Sequence, residues 1–147
     1  MLPNLLPDSC SGCPLSTNRS CGYFSKVSGS GRNGVLIVGE ASGEHEAREG
    51  RPFVEWAPAG SILERAIRQG NFKREDFWIT NVVRCRPYNN ILEGASYERA
   101  ALDHCRTNLD TVIEELKPRA ILALGGLALR ELTGYSGGKR SITYVRG

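Results

Sequence analysis

Residues 34–53 read GVLIVGEASGEHEAREGRPF, and this stretch decides the fold. Its apolar run, residues 35–38, leads directly into the glycine-bounded segment GEASG at residues 39–43. A short apolar run of this kind is typical of a buried parallel strand, and the glycines after it let the backbone turn and approach a ligand closely. Because ligands bind at the carboxyl end of strands in open α/β sheets, we expect a pocket there that holds Glu40 and Phe53 together.

Strands and helices alternate along the rest of the chain. Hydrophobic patterning predicts strands at residues 35–38, 77–83 and 120–124, and helices at residues 59–69, 96–116 and 126–132, with Ser96 as a plausible cap. The charged segment 42–58, broken by Gly and Pro, is predicted to be a functional loop. This alternation predicts an α/β fold in three layers, α/β/α, around a central parallel sheet.

The totals favour one globular domain. At 147 residues, with 24% charged and 40% hydrophobic residues, the chain is predicted to be a single domain 1–147: a cysteine-bearing loop region at 1–33, then an α/β core at 34–147. Nineteen Lys and Arg against sixteen Asp and Glu leave a mildly basic chain that is compatible with nucleic acid. No apolar run is long enough for a membrane span and the first residues lack signal-peptide features, so we expect a cytoplasmic protein.

The cysteines indicate a metal site. Their odd number, five, argues against a full disulfide framework. Cys10 and Cys13 are spaced to share one metal, and folding could bring Cys85 and Cys105 to them, which suits either zinc or an iron–sulfur cluster. The alternative is that Cys105 is a core residue on an apolar helix face. Cys21 is the expected spare.

Three other side chains are candidates for chemistry, each with a simpler alternative. Phe53 could stack on a ligand or pack in the core. Asn81, inside an apolar strand, could present its amide to the edge of a base, or could be hydrogen-bonded to a neighbouring loop. Glu40 could orient a water molecule or steady a developing cation, or be a solvated charge.

Several motifs in order along the chain resemble the family-four uracil-DNA glycosylases, the iron–sulfur branch of the uracil-DNA glycosylase superfamily. They are Cys10-x-x-Cys13-Pro14, Gly39-Glu40-Ala41-Ser42-Gly43, Gly50-Arg51-Pro52-Phe53-Val54, Thr80-Asn81-Val82-Val83-Arg84-Cys85-Arg86-Pro87, Cys105, and KPRAILALG at residues 117–125. The resemblance covers nearly the whole chain.

What the resemblance implies is specific. Cys10, Cys13, Cys85 and Cys105 would hold a structural [4Fe-4S] cluster. Phe53 would stack on a uracil flipped out of DNA, Asn81 would read its polar edge, and Glu40 would help to bind the base and to position the attacking water. The remaining substrate-binding residues would be Gly39, Ala41, Ser42 and Gly43. The expected activity is hydrolysis of the N-glycosidic bond of uracil in DNA, with uracil-containing DNA as partner and the protein as a monomer.

The chain also departs from the family pattern. Ser42 stands where the family usually has Pro, and the segment EWAPAG at residues 55–60 is longer than the usual turn. The family ends with a fourth strand and a His-Pro-Ser loop, and we expect this chain to lack both. An alternative function is therefore a catalytically impaired iron–sulfur module that binds DNA or a damaged base, and a further one is a nucleotide-binding α/β domain with structural zinc.

Overall fold

A computed structural model describes residues 10–16 and 25–135 of the chain. Cys21 and the basic segment 137–147 lie outside the described residues. In this described part, no helix is both long and apolar enough to cross a membrane.

Three parallel strands form the central sheet. In chain order they are β1 (Val35–Ala41), β2 (Trp78–Val83) and β3 (Ala120–Ala123). The order in the sheet is β2-β1-β3, so β1 is the middle strand and bonds to both neighbours. The predicted α/β fold with a parallel sheet is confirmed.

Four helices accompany the sheet: α1 (Glu44–Glu49), α2 (Pro58–Gln69), α3 (Glu98–Leu116) and α4 (Gly126–Thr133). Helix α2 has Pro58 in its first turn, where a missing N–H is harmless. Helix α3 begins two residues later than predicted; Tyr97 is its N-cap and makes no side-chain cap bond, so the prediction of a Ser96 cap is wrong.

The helices cover both faces of the sheet. Ile37 and Ile79 pack against Leu63 and Ile67 of α2 on one face. On the other face, a larger core joins alternate strand residues to α3 and α4; its members include Leu36, Val38, Leu102, Leu109 and Leu127. The two cores give the three layers that the sequence predicts.

Two elements differ from the sequence prediction near the glycine-bounded segment. Strand β1 continues three residues beyond its apolar run, because Gly39 pairs with Asn81 and Ala41 pairs with Val83. The segment predicted as a loop contains the short helix α1, which ends at Gly50 in the left-handed conformation. Strand β1 therefore carries residues 39–41 to the carboxyl edge of the sheet as ordered backbone.

Candidate functional site

Gly39, Phe53 and Asn81 converge at the carboxyl end of β1. Gly39 is the register partner of Asn81 on the neighbouring strand β2. A Cβ atom on Gly39 would lie 2.4 Å from Cζ of Phe53 and 2.5 Å from Oδ1 of Asn81. Only a glycine leaves room for the ring and the amide to approach the strand this closely. The structure thus unites three of the predicted substrate-binding residues.

Phe53 has an unusual backbone conformation. Its φ angle is +49°, in the left-handed region that favours glycine. The ring is partly buried and packs beside the core formed under α2. A phenylalanine adopts this conformation only where the surrounding structure enforces it, and such residues cluster at functional sites.

Asn81 is buried, with 2% of its surface exposed, yet its Oδ1 accepts no hydrogen bond from the residues that the structure describes. A buried carbonyl oxygen without a donor costs free energy. The alternative was an Asn hydrogen-bonded to a neighbouring loop, and among the described residues no loop group donates to this oxygen. The oxygen is therefore an acceptor available to a ligand that reaches the Gly39 face.

Glu40 follows Gly39 on β1, and successive side chains of a strand leave on opposite faces. Its carboxylate therefore leaves β1 on the face opposite the one where Phe53 packs. The sequence had led us to expect both side chains together in one pocket. Partial desolvation by neighbouring protein raises the pKa of Glu40, the negative charges of Glu93 and Glu98 raise it further, and Arg130 opposes them. The side chain itself reaches solvent.

Residues 41–43 lead from β1 into α1. Ser42 is buried; its backbone N–H donates to the carbonyl of Val83 at 3.3 Å and its hydroxyl donates to the carbonyl of Arg84 at 3.2 Å. Gly43 is the N-cap of α1, and a Cβ atom there would lie 2.7 Å from a carboxylate oxygen of Glu46. Ser42 therefore ties the end of β1 to the segment that follows β2.

All four predicted metal-binding cysteines, Cys10, Cys13, Cys85 and Cys105, are buried free thiols. Burial raises the pKa of Cys85 to about 12, and the negative charges of the other three thiolates contribute. Burial likewise raises the pKa of Cys105 to about 11, and Cys13 and Cys10 add to it. The four thiols thus lie near enough to influence one another, although Cys10 and Cys105 are far apart in sequence.

Two polar residues beside the cysteines were not singled out by the sequence. The amide of Asn108 on α3 donates to the sulfur of Cys10 at 3.6 Å, and Asn108 is buried. Arg84 is also buried and donates to the carbonyl of Ser25 at 2.8 Å. Burial lowers the pKa of Arg84 to about 10. Negative charge on Cys105, Cys85 and Cys10 would raise that pKa and so opposes the effect of burial. Asn108 could have been found as a polar residue on the apolar face of α3, one turn after Cys105.

The chemistry of this donor set fits a cluster held by thiolates. As thiolates, four buried cysteines would repel one another, and positive charge from bound iron would offset that repulsion. The Asn108 amide and the Arg84 guanidinium are the donors and charge that commonly surround such sulfur ligands. Among the residues that the structure describes, no three His, Cys, Asp or Glu side chains form a group that could hold a single metal ion.

Comparison with known proteins gives a consistent family. A sequence model of the Uracil DNA glycosylase superfamily matches residues 28–145. The chain is similar to the Type-4 uracil-DNA glycosylase of Thermotoga maritima, at 41% identity over 94% of this chain and 67% of the relative. It is also similar to the Type-4 uracil-DNA glycosylases of Pyrobaculum aerophilum, at 42% identity over 86% of this chain and 62% of the relative, and of Sulfurisphaera tokodaii, at 36% over 95% and 60%. The chain spans about two thirds of the length of these relatives.

Proposed function

Because the chain belongs to the uracil DNA glycosylase superfamily, we propose that it binds uracil-containing DNA and hydrolyses the N-glycosidic bond between uracil and deoxyribose. The products would be free uracil and an abasic site, the first intermediate of base excision repair. The convergence of Gly39, Phe53 and Asn81 carries this proposal, since it combines a flat aromatic face with a buried amide at one strand end.

The geometry suits one flipped pyrimidine. A base inside a duplex must leave the stack before its glycosidic bond can be reached, and a mispaired base leaves at lower cost. Phe53 would then stack on the base. The free Oδ1 of Asn81 would accept the N3–H of uracil and its amide N–H would donate to O4. Cytosine presents the opposite pattern of donor and acceptor at these two positions, so the same amide orientation would reject it.

Glu40 and the backbone of residues 39–43 would complete the reaction. Cleavage builds positive charge on the sugar and negative charge on the departing uracil. The Asn81 donor would steady the uracil anion, and the Glu40 carboxylate would position the attacking water and steady the sugar cation. Since Glu40 leaves β1 on the face opposite Gly39, the sugar would lie beyond the end of the strand, where side chains of both faces can reach.

We also propose that Cys10, Cys13, Cys85 and Cys105 hold a [4Fe-4S] cluster. The support is the burial of the four thiols, their mutual charge effects, and the Asn108 and Arg84 groups beside them. The cluster, when bound, would supply a rigid cross-link rather than a reaction step. The cross-link would join three parts of the protein: the turn at residues 10–16, the segment after β2 and helix α3.

The direct test is uracil release under single-turnover conditions from a single-stranded oligonucleotide that contains one uracil, with the iron-loaded protein. The matched control substrate carries thymine at that position. We expect release from the uracil strand alone, and Phe53→Ala and Asn81→Ala should lower it sharply while the visible absorbance of the cluster stays. Binding of the oligonucleotide without release would favour the alternative of a module that recognises DNA without turnover.

We also propose that the protein is cytoplasmic and monomeric.

A further inference from the structure

Phe53 lies on a turn whose conformation needs external support. Residues 50–55, here called the Phe53 turn, connect α1 to the segment before α2. Both Gly50 and Phe53 have positive φ angles, +68° and +49°. A phenylalanine in the left-handed region would relax if nothing held it, and its ring would then leave Gly39.

The Arg74 side chain, from a distant part of the sequence, contacts this turn on both sides of Phe53. Arg74, in the single helical turn Arg74–Asp76 before β2, donates from Nη2 to the carbonyl of Pro52 at 2.6 Å. Its Nε lies 3.4 Å from Oε1 of Glu55. The guanidinium therefore bridges the residue before Phe53 and the residue two positions after it.

Glu55 also pairs with a second arginine, Arg51. Arg51 donates from Nη1 to Oε1 of Glu55 at 2.8 Å, and its Nη2 lies 2.8 Å from Oε2. The hydrogen bond from Arg51 is the main reason that the pKa of Glu55 is lowered to about 2, so the carboxylate is charged at neutral pH. A bidentate arginine–carboxylate pair has a fixed geometry, which a lysine could not reproduce.

Arg74 is placed for support rather than for contact with DNA. Only 14% of its side chain is exposed, and burial lowers its pKa. A guanidinium that is directed inward and already bonded to a backbone carbonyl is poorly placed to bind a phosphate in solvent. Helix α2 closes the other side of the turn, since a Cβ atom on Gly60 would lie 1.8 Å from the carbonyl oxygen of Val54.

We propose that Arg74 is a positioning residue: through Pro52 and Glu55 it fixes the Phe53 turn and holds the Phe53 ring over Gly39, ready to stack on a base. The proposal rests on the proposed function for the identity of the base. Glu55 lies at the end of the Phe53 turn, before α2, and it provides one of the two contacts through which Arg74 holds that turn.

The test uses a readout of the ring itself beside a readout of activity. The chain has four phenylalanines, so selective ¹³C labelling gives four ring environments, and Phe53→Leu identifies the signal of Phe53. Arg74→Met should shift or broaden that signal. The matched control is Arg68→Met, which removes the same charge from an exposed arginine of α2 whose described ion pair is with Glu64.

In the uracil-release assay, Arg74→Met should lower the efficiency of excision by about 10- to 100-fold, mainly through a higher half-saturating DNA concentration. Arg74→Lys should recover only part of this loss. In a Phe53→Leu background the same substitution should change excision by less than about twofold, because its effect runs through the ring.

The outcomes separate the two proposals. An unchanged Phe53 signal in Arg74→Met overturns the positioning role, as does an equal effect of Arg68→Met on signal and excision. If the wild-type protein releases no uracil while Arg74→Met still displaces the Phe53 signal, the proposed function fails and the positioning role stands.

Discussion

Glu40 carries a carboxylate whose protonation depends on three charged neighbours. Its pKa is raised by partial desolvation and by Glu93 and Glu98, and Arg130 opposes this rise. If the charged form positions the attacking water, excision should fall as the pH drops through a value above the ordinary glutamate pKa of about 4.3. Single-turnover rates measured against pH would give this inflection.

Substitution of the neighbours should move the inflection in opposite directions. Glu93→Gln removes a negative charge and should shift it to lower pH, whereas Arg130→Met removes the opposing positive charge and should shift it to higher pH. Glu75→Gln is the control, because Glu75 is exposed and its described ion pair is with Arg32. If neither Glu93→Gln nor Arg130→Met moves the pH of the inflection, a group other than Glu40 determines the pH dependence of the rate.

Asn81 is predicted to matter more for activity than for stability. Its buried Oδ1 has no partner among the described residues, so Asn81→Ala removes an unsatisfied group together with a small volume. We expect the free energy of unfolding to change by about 1 kcal/mol or less. Excision should fall by about 100- to 1,000-fold, the usual cost of losing a donor to a developing anion. Denaturant titration and the release assay would test both parts, and a large loss of stability would indicate a structural residue.

At the same scale, the sequence revealed Asn81 and Phe53 as candidates but not Arg84, Asn108 or Arg74. A polar residue inside an apolar strand is visible in the pattern itself. The burial of Arg84 and the reach of Arg74 to Pro52 depend on packing between segments that are distant in sequence. Local patterning carries no information about such contacts.

At the scale of elements, the same limit explains the errors around β1. The three strands and α2, α3 and α4 were predicted because apolar periodicity and Gly or Pro ends are local signals. The extension of β1 through residues 39–41 arises from pairing with β2, which no local pattern shows. The helix α1 was missed because its six residues are mostly charged and bury only Glu46 and Ala47.

The left-handed glycine that ends α1 offers a prediction for this element. Gly50 has φ +68°, and an added Cβ would meet no atom of the described residues within 4 Å, so Gly50→Ala should cost only the conformational strain of about 1 kcal/mol. Gly134 ends α4 with φ +70°, and a Cβ there would likewise meet no atom of residues 10–16 and 25–135, which makes Gly134→Ala a matched control. Both variants should lose similar stability in thermal unfolding. Only Gly50→Ala should also slow excision, because Gly50 begins the Phe53 turn. Equal excision rates in the two variants would contradict a role of that turn in the site.

At the scale of the whole molecule, the four cysteines come from parts of the chain that lie outside the sheet. Cys10 and Cys13 lie in the turn at residues 10–16, Cys85 follows β2, and Cys105 lies on α3. The Asn108 amide, which donates to the sulfur of Cys10, ties this turn to α3. A bound cluster would close a loop of nearly a hundred residues, and such a cross-link lowers the entropy of the unfolded chain enough to stabilise the fold by about 5 kcal/mol.

Removal of the iron should consequently loosen the turn at residues 10–16 and lower the melting temperature by about 10 to 20 °C, since about 2 to 4 °C accompany each kcal/mol in a domain of this size. Far-UV circular dichroism before and after treatment with a chelator under reducing conditions would measure the shift. Cys105→Ala should lower the bound iron and melt at the temperature of the chelated protein. Cys21→Ala, the matched control, should keep both its iron and its melting temperature. If Cys21→Ala loses iron and Cys105→Ala keeps it, the ligand set proposed here is wrong; if chelation leaves the melting temperature unchanged, the cluster does not act as the cross-link of this fold.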